Sequence, residues 1–362
     1  MACEVPVNLG QRTYTIHIAA GSLERVAQHL TSQGLQTRLF IITQPRVNAL
    51  YGRVLREGLL SADFAVAVAE VPEGEEAKSL SVASELYDRM VEAGVSRDSA
   101  VVALGGGVVG DIAGFVAATF MRGVRFVQIP TTLLAQVDAS VGGKVAVNHP
   151  RAKNLIGAFH QPAFVLIDPL TLKTLPPREL RAGLAEVVKY GVISDPAFFS
   201  FIEEHLDSLL SLEMTVLEHT LRRSCEIKAQ VVEQDERESG LRAILNFGHT
   251  IGHALEAVFG YGHFLHGECV AVGMIAATRI AVTQGLCDRA VEARLVQLLK
   301  RIGLPLTVPA RPLAQVFRAM KLDKKADAGM LRFVLPQEIG RVTIVRGIPE
   351  TVIQQAVESI ME

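Results

Sequence analysis

Four histidines crowd one short stretch of the chain: His249, His253, His263 and His266. His249 and His253 stand four apart, so on a helix they share one face. Neutral imidazole is a favoured zinc ligand, and a catalytic zinc commonly takes three protein ligands and leaves one position open. The pattern is not that of a zinc protease, because Thr250 stands where the glutamate of H-E-x-x-H would be. Helix caps or core histidines with satisfied hydrogen bonds explain the same spacing, which does not choose the ligands. Glu186 is the obvious carboxylate to complete a ligand set. It sits in the apolar stretch Gly183–Tyr190, with Lys189 three residues on and on the same face. An ordinary intrahelical ion pair is the plain alternative. Flanked by Leu, Ala and Val, however, both charges are costly unless paired or put to use.

A second feature is Gly105-Gly106-Gly107-Val108-Val109-Gly110, which satisfies G-x-G-x-x-G after an apolar strand and before a helix, with Asp111 following. Glycine there lets the backbone approach a pyrophosphate, and a helix N-terminus offers N–H groups and positive potential. Two features depart from the usual dinucleotide fingerprint. The turn follows about the third strand rather than the first, and Gly123–Thr131, some 20 residues on, carries no acidic residue for a ribose. A tight packing turn is the bland reading. Ser140–Val145 invites a P-loop reading that fails, since Asp138 and Val145 occupy the positions of the first glycine and the Mg-binding hydroxyl. Lys144 is left as a point charge for phosphate, or simply a loop residue.

These groups need elements to position them. Arg38–Thr43, Phe64–Val71, Ser99–Leu104, Phe126–Pro130 and Val165–Ile167 read as strands alternating with helical stretches, so a parallel sheet with helices on both faces is expected. From Pro176-Pro177 onward helical patterns dominate to Arg301, and strands return only near Leu331–Leu335 and Val342–Val345. The fold expected is an α/β Rossmann-like N-terminal domain, 1–175, and a mainly α-helical C-terminal domain, 176–362.

The 362 residues are 49% hydrophobic and 20% charged, with net charge −2, enough apolar material for two cores and no basic stripe for nucleic acid. The apolar runs at Val101–Met121 and Cys269–Thr278 are interrupted or too short to span a bilayer, so no membrane partner is expected. Scattered cysteines and the lack of a basic, apolar leader pattern point to reduced thiols and a cytoplasmic location.

Together these motifs resemble the 3-dehydroquinate synthase family of sugar phosphate cyclases. The matching stretches include Val71–Glu75 with Lys78, Gly105–Asp111, Arg122–Phe126, Pro130–Leu134, Gln136–Lys144, Lys153-Asn154, Gly157–Pro162, Glu186–Gly191, Leu241–His253, His266–Glu268 and Asp323–Lys325. Each is weak alone; jointly they are specific. The resemblance implies a dehydroquinate synthase-like fold with an active site in the cleft between the domains, tightly held NAD, one divalent metal (Zn2+ or Co2+), and a homodimer. It implies Glu186, His249 and His266 as metal ligands. NAD contacts would fall on Glu73, Gly74, Glu75, Glu76, Lys78, Gly107, Val108, Val109, Gly110, Asp111, Thr131, Thr132, Lys144, Lys153, Thr171, Leu172, Lys173 and Thr174. Substrate and catalytic positions would be Lys189, Arg242, Asn246, His253, Glu238, Lys228, Asp138, Asn154, Lys324 and Arg122, the last acting across the dimer interface. Val145 and Ala146 stand where the family commonly has Thr-Gly, and Ala152 where glycine is frequent; loop geometry around Lys144 and Lys153 is therefore in question.

The activity implied converts 3-deoxy-D-arabino-heptulosonate 7-phosphate to 3-dehydroquinate and phosphate. Lys189, Arg242, Asn246 and Lys324 favour a substrate with both carboxylate and phosphate. The rivals are another sugar phosphate cyclase, a metal-dependent polyol dehydrogenase of the glycerol dehydrogenase kind, and a non-catalytic nucleotide-binding regulator. On this reading Lys189→Ala lowers turnover strongly and leaves the fold near wild type.

Overall fold

The structure is a computed structural model that describes residues 3–35, 38–260, 262–323 and 331–362, with Leu322 and Asp323 followed in the backbone only. The strands are β1 (Cys3–Val7), β2 (Tyr14–Ile18), β3 (Leu39–Thr43), β4 (Val66–Glu70), β5 (Ala100–Gly105), β6 (Arg125–Pro130), β7 (Lys144–His149), β8 (Ala152–Phe159), β9 (Phe164–Ile167), β10 (Arg332–Glu338) and β11 (Arg341–Arg346). The chain divides into two compact units. The first is Met1–Leu175 with Lys228–Glu236, the second Pro176–Ile227 with Arg237–Glu362.

In the first unit a seven-stranded sheet runs β1-β2-β9-β6-β5-β3-β4, parallel except for the β1–β2 edge. Buried parallel strands read as continuous apolar runs because both faces are covered. Successive side chains still alternate between the faces. Phe40, Ile42, Val101 and Ala103 join one core, with the helices Leu80–Glu92 and Gly107–Thr119. Leu39, Ile41, Val102 and Leu104 join the other, with the helices Val26–Ser32 and Arg53–Leu60.

Of the six parallel strands, β3, β4, β5, β6 and β9 lie in the order 2-1-3-4-5, with β2 added beside β9. That order puts the switch point between β3 and β5, and ligands of such sheets bind outside the carboxyl ends of the strands there. The glycine turn closes β5, so its place after the third strand is where this topology wants it.

The antiparallel hairpin β7–β8 was not expected from sequence. Lys144 lies on β7 and Lys153 and Asn154 on β8, not on a loop. Polar and small residues mask its alternation. It covers the Gly107–Thr119 helix, which is apolar all round for that reason. Gly114 admits the contact, since a Cβ there would lie 2.2 Å from Val145 Cγ1. Val145, flagged above as a departure, is thus a core residue at 2% exposure. Burying such a side chain is worth about 1.5–3 kcal/mol, more than a half-exposed ion pair. Packing, rather than charge, holds the hairpin.

Residues 228–236 return to the first unit although the sequence places them in the second. Lys228 Nζ donates to Asp138 Oδ1 at 2.6 Å, and Asn8 and Arg12 donate to Glu233 and Glu236. A single cut at 175/176 does not account for this segment.

The second unit is helical, with the β10–β11 hairpin. Pro177 opens the helix Pro177–Ser194 at its first turn. Asp195 caps Pro196–Glu204, its side chain accepting from Phe198 N–H. The helix His266–Thr283 is buried almost throughout and packs against Pro177–Ser194, His249–Phe259, Arg289–Ile302 and β10. Its apolar run is therefore a core element. Among the described residues no helix is long and apolar enough to cross a membrane. None of the four cysteines is in a disulfide, and Cys225 and Cys269 are buried.

Candidate functional site

Three helices of the second unit carry the candidate metal ligands, and glycines set how closely those helices meet. Gly248 caps His249–Phe259 at φ +80°, and a Cβ there would lie 2.8 Å from Val270 O. At Gly273 a Cβ would lie 2.0 Å from Gly248 O, and at Gly267 1.9 Å from Ala182 O. The backbones of His266–Thr283, His249–Phe259 and Pro177–Ser194 thus touch where side chains would hold them apart. That approach brings Glu186, His249 and His266 together.

Glu186 Oε1 lies 3.4 Å from His249 Nε2 and 3.5 Å from His266 Nε2. Donors about 2.0–2.1 Å from one tetrahedral zinc are about 3.3–3.4 Å apart, so both carboxylate–imidazole separations are close to an edge of such a site. His249, His253 and His266 form a second possible set, with ligand atoms within 4.8 Å of one another. The Glu186 set differs in bringing an anionic oxygen to the same two imidazoles. His253 then remains beside the centre, its ring 5.2 Å from that of His249.

Each Nε2 is aimed by what the other ring nitrogen does. His249 Nδ1 meets Phe247 O at 3.0 Å; His266 Nδ1 meets Glu256 Oε2 at 3.1 Å. Burial pushes His249 down to about 3, which keeps it neutral. Burial also opposes charging His266, but hydrogen bonds and charge from Glu186 and Glu256 outweigh it and raise its pKa to about 10. Without a cation, a proton on His266 balances these carboxylates. Lys189 pairs with Glu186, the two side chains 1% and 0% exposed. Arg242 is 2% exposed, and Asn246 Nδ2 donates to Glu238 Oε1 at 2.7 Å. Lys324 lies outside the described residues.

In the first unit Gly105 ends β5 and Gly106 caps the helix without a side-chain cap. The N–H groups of its first turn have no intrahelical acceptor, as at any helix start. Cβ atoms at Gly106 and Gly107 would lie 3.2 Å from Thr132 Cγ2 and Ala139 Cβ, and at Gly110 2.9 Å from Gln128 Oε1. Lacking side chains, these positions let the helix start pack closely on Thr132, Ala139 and Gln128. Val108 is half-buried and Val109 a core residue.

Around the turn Lys78 Nζ donates to Asp111 Oδ2 at 2.6 Å and to Asn154 Oδ1, with Glu75 at 3.5 Å. Burial opposes the charge on Lys78, but Asp111 and Glu75 outweigh it and raise its pKa. Lys153 reaches Glu75 at 3.7 Å. Glu73, Gly74, Glu76 and Lys144 are exposed, as is Arg122, which stands in a left-handed conformation at φ 69° after the C-terminal end of the helix Gly107–Thr119. Thr131 and Thr171 are buried and Thr132 half-buried. Gln136 Nε2 donates to Pro130 O, Asp168 O and Thr171 Oγ1, which ties Pro169–Thr174, including Leu172, Lys173 and Thr174, to the end of β6.

Sequence reasoning missed Glu256, Gln136 and Asn148 as site builders. Asn148 donates to Glu75 Oε1 at 2.9 Å and accepts from Asn154 N–H at 2.9 Å. Only Glu256 carried a readable signal: it lies seven residues after His249, on the same helical face.

A parallel α/β unit with its glycine turn at the strand switch, and a helical unit gathering a carboxylate and imidazoles, are shared with sugar phosphate cyclases of known structure. The 2-epi-5-epi-valiolone synthase of Streptomyces hygroscopicus subsp. jinggangensis, solved with NAD+ and Zn2+, superposes with TM-score 0.89 at 30% identity, covering 96% of each chain. A 2-deoxy-scyllo-inosose synthase complexed with carbaglucose-6-phosphate, NAD+ and Co2+ gives TM-score 0.89 at 28% identity, covering 99% of this chain and 100% of that one. Within the class, this chain belongs to the 3-dehydroquinate synthase family. The family's N-terminal profile matches residues 68–182 and its C-terminal profile residues 183–326. The 3-dehydroquinate synthase of Desulforamulus reducens is 52% identical over 347 residues, 96% of this chain and 97% of that protein.

Proposed function

We propose that this chain converts 3-deoxy-D-arabino-heptulosonate 7-phosphate to 3-dehydroquinate and phosphate, using NAD and one divalent metal, Zn2+ or Co2+. The observation that carries the reading is Glu186 Oε1 at 3.4 and 3.5 Å from two imidazoles in a chain of this family. NAD supplies a hydride acceptor that is restored at the end of the cycle, and the metal supplies Lewis acidity toward substrate hydroxyls.

The chain's own residues have the remaining tasks. Glu186, His249 and His266 hold the cation. The Gly105–Gly110 turn holds the pyrophosphate of NAD, with Glu73–Glu76, Lys78, Asp111, Thr131, Thr132, Lys144, Lys153 and Thr171–Thr174 completing its site. Asp138, paired with Lys228, sets the position of that lysine's charge. Arg242 forks to the substrate carboxylate, and Asn154, Lys324, His253 and Arg122 are the candidates to hold the phosphate. With NAD bound, a transient ketone at C5 would acidify the neighbouring C–H, so that phosphate could leave from C7, with ring opening and aldol closure to follow. Lys189 lies beside Glu186 as the candidate proton donor or acceptor near C5, with Glu238, which accepts a hydrogen bond from Asn246, as the relay carboxylate near the cyclisation site. Arg122 acts across a homodimer interface, and the protein works in the cytoplasm.

Protein supplied with the heptulosonate phosphate, NAD and Zn2+ should release inorganic phosphate while NADH stays at or below the enzyme concentration. NADH rising in step with product would instead identify a polyol dehydrogenase. A single peak at twice the chain mass in light scattering tests the dimer.

A further inference from the structure

The two histidines that point Nε2 at Glu186 are supported unequally. His249 Nδ1 rests on a neutral backbone carbonyl, that of Phe247, at 3.0 Å. His266 Nδ1 rests on a carboxylate, Glu256 Oε2, at 3.1 Å. Glu256 is 6% exposed, on a helix face shared with His249 and His253. A carboxylate is rarely buried that deeply unless its charge is used.

The backbone at His266 is fixed separately. Glu268 accepts from Leu265 N–H at 2.8 Å and is gripped by Arg178 through two contacts of 2.7 Å. Gly267 seats the same turn against Ala182. With the helix start held, the remaining freedom at His266 is rotation of its ring and choice of tautomer, and Glu256 addresses both.

We propose that Glu256 is a positioning residue of the metal centre: it holds His266 in the Nδ1–H tautomer, and its negative charge makes the facing Nε2 the stronger of the two nitrogen donors. The proposal rests on the reading of Glu186, His249 and His266 as ligands. Carboxylates behind a ligating histidine typically change metal affinity by about 10–100-fold. Phe247 O orients His249 without adding charge, so the two imidazoles are chemically distinct donors.

The test uses metal-depleted full-length protein titrated with Co2+ against a chelating dye, with the visible absorption of the bound ion recorded. Glu256→Gln keeps the shape and a hydrogen-bond acceptor but removes the charge; Glu256→Ala removes both. The expected result is Co2+ affinity about 10-fold weaker in the Gln variant and up to about 100-fold weaker in the Ala variant. The Co2+ absorption band should shift in both, and the metal-free Gln variant should keep its wild-type circular dichroism. A Gln variant with wild-type affinity and spectrum overturns this assignment and leaves the three ligands standing. Wild-type protein that takes up no Co2+ overturns the ligand set itself, and this inference with it.

Discussion

The two units set their glycines against different neighbours. At Gly106, Gly107 and Gly110 of the glycine turn, the atoms nearest a hypothetical Cβ are side-chain atoms at 2.9 to 3.2 Å: Thr132 Cγ2, Ala139 Cβ and Gln128 Oε1. At Gly273 and Gly267 in the histidine corner they are backbone carbonyls, Gly248 O at 2.0 Å and Ala182 O at 1.9 Å. The first set seats a helix start against side chains that can shift; the second lets backbones touch that cannot. A change in the glycine turn, proposed above to hold NAD, should therefore spare folding and weaken binding. A change at the helix contact should fail in both.

The largest effect belongs to the ligands. His249→Ala should remove stoichiometric metal and lower phosphate release by more than about 100-fold, beyond what an outer-shell change causes; metal analysis of the purified variant checks it. Next comes Lys189→Ala. The sequence expectation was a near wild-type fold, but the Lys189–Glu186 pair is 1% and 0% exposed. Breaking a buried pair from one side costs about 3–5 kcal/mol, so the metal-free variant should unfold at clearly lower denaturant, as well as losing turnover. Wild-type stability would separate this pair from the fold.

Gly273→Ala should cost about 1–3 kcal/mol and weaken metal uptake, because the helices must part. Calorimetry alongside metal titration reads both. Metal uptake should also release a proton. With its pKa raised to about 10, His266 carries one at neutral pH in metal-free protein. Displacing it makes affinity fall about tenfold for each pH unit lowered, and the released proton should vanish above about pH 10. An indicator dye in weak buffer measures this directly. The smallest effect is Gly106→Ala, which should change stability by less than about 1 kcal/mol. It should weaken NAD binding about tenfold, a loss of 1.4 kcal/mol; equal affinity would remove the comparison's first half.

Legibility followed the range of the interactions. β3, β5, β6 and β9 were readable because a buried parallel strand advertises itself as an apolar run. The glycine turn was readable as contiguous chain, although its significance depended on a strand order that no local pattern reveals. The hairpin β7–β8 stayed hidden: its exposed side carries Ala152, Leu155 and Phe159 in a sequence rich in Asn, His and Gly. Likewise His249 and His253 announced themselves by spacing, yet the proximity of Glu186 and His266 comes from glycines at 248, 267 and 273. Those positions have no pattern until the helices pack. Glu256 was legible as a helical repeat and overlooked because a lone acid on a helix is usually solvated.

The segment Lys228–Glu236 has a consequence for how the protein is made. The first compact unit draws its closing pieces from a stretch synthesised more than fifty residues after the sheet's last strand, β9, is complete. On a ribosome the N-terminal half therefore waits, with Asn8, Arg12 and Asp138 lacking these partners, until the long helix Met214–Gln234 emerges. A gene fragment ending at Leu175 would encode every strand of the main sheet and still omit part of the unit that the sheet builds.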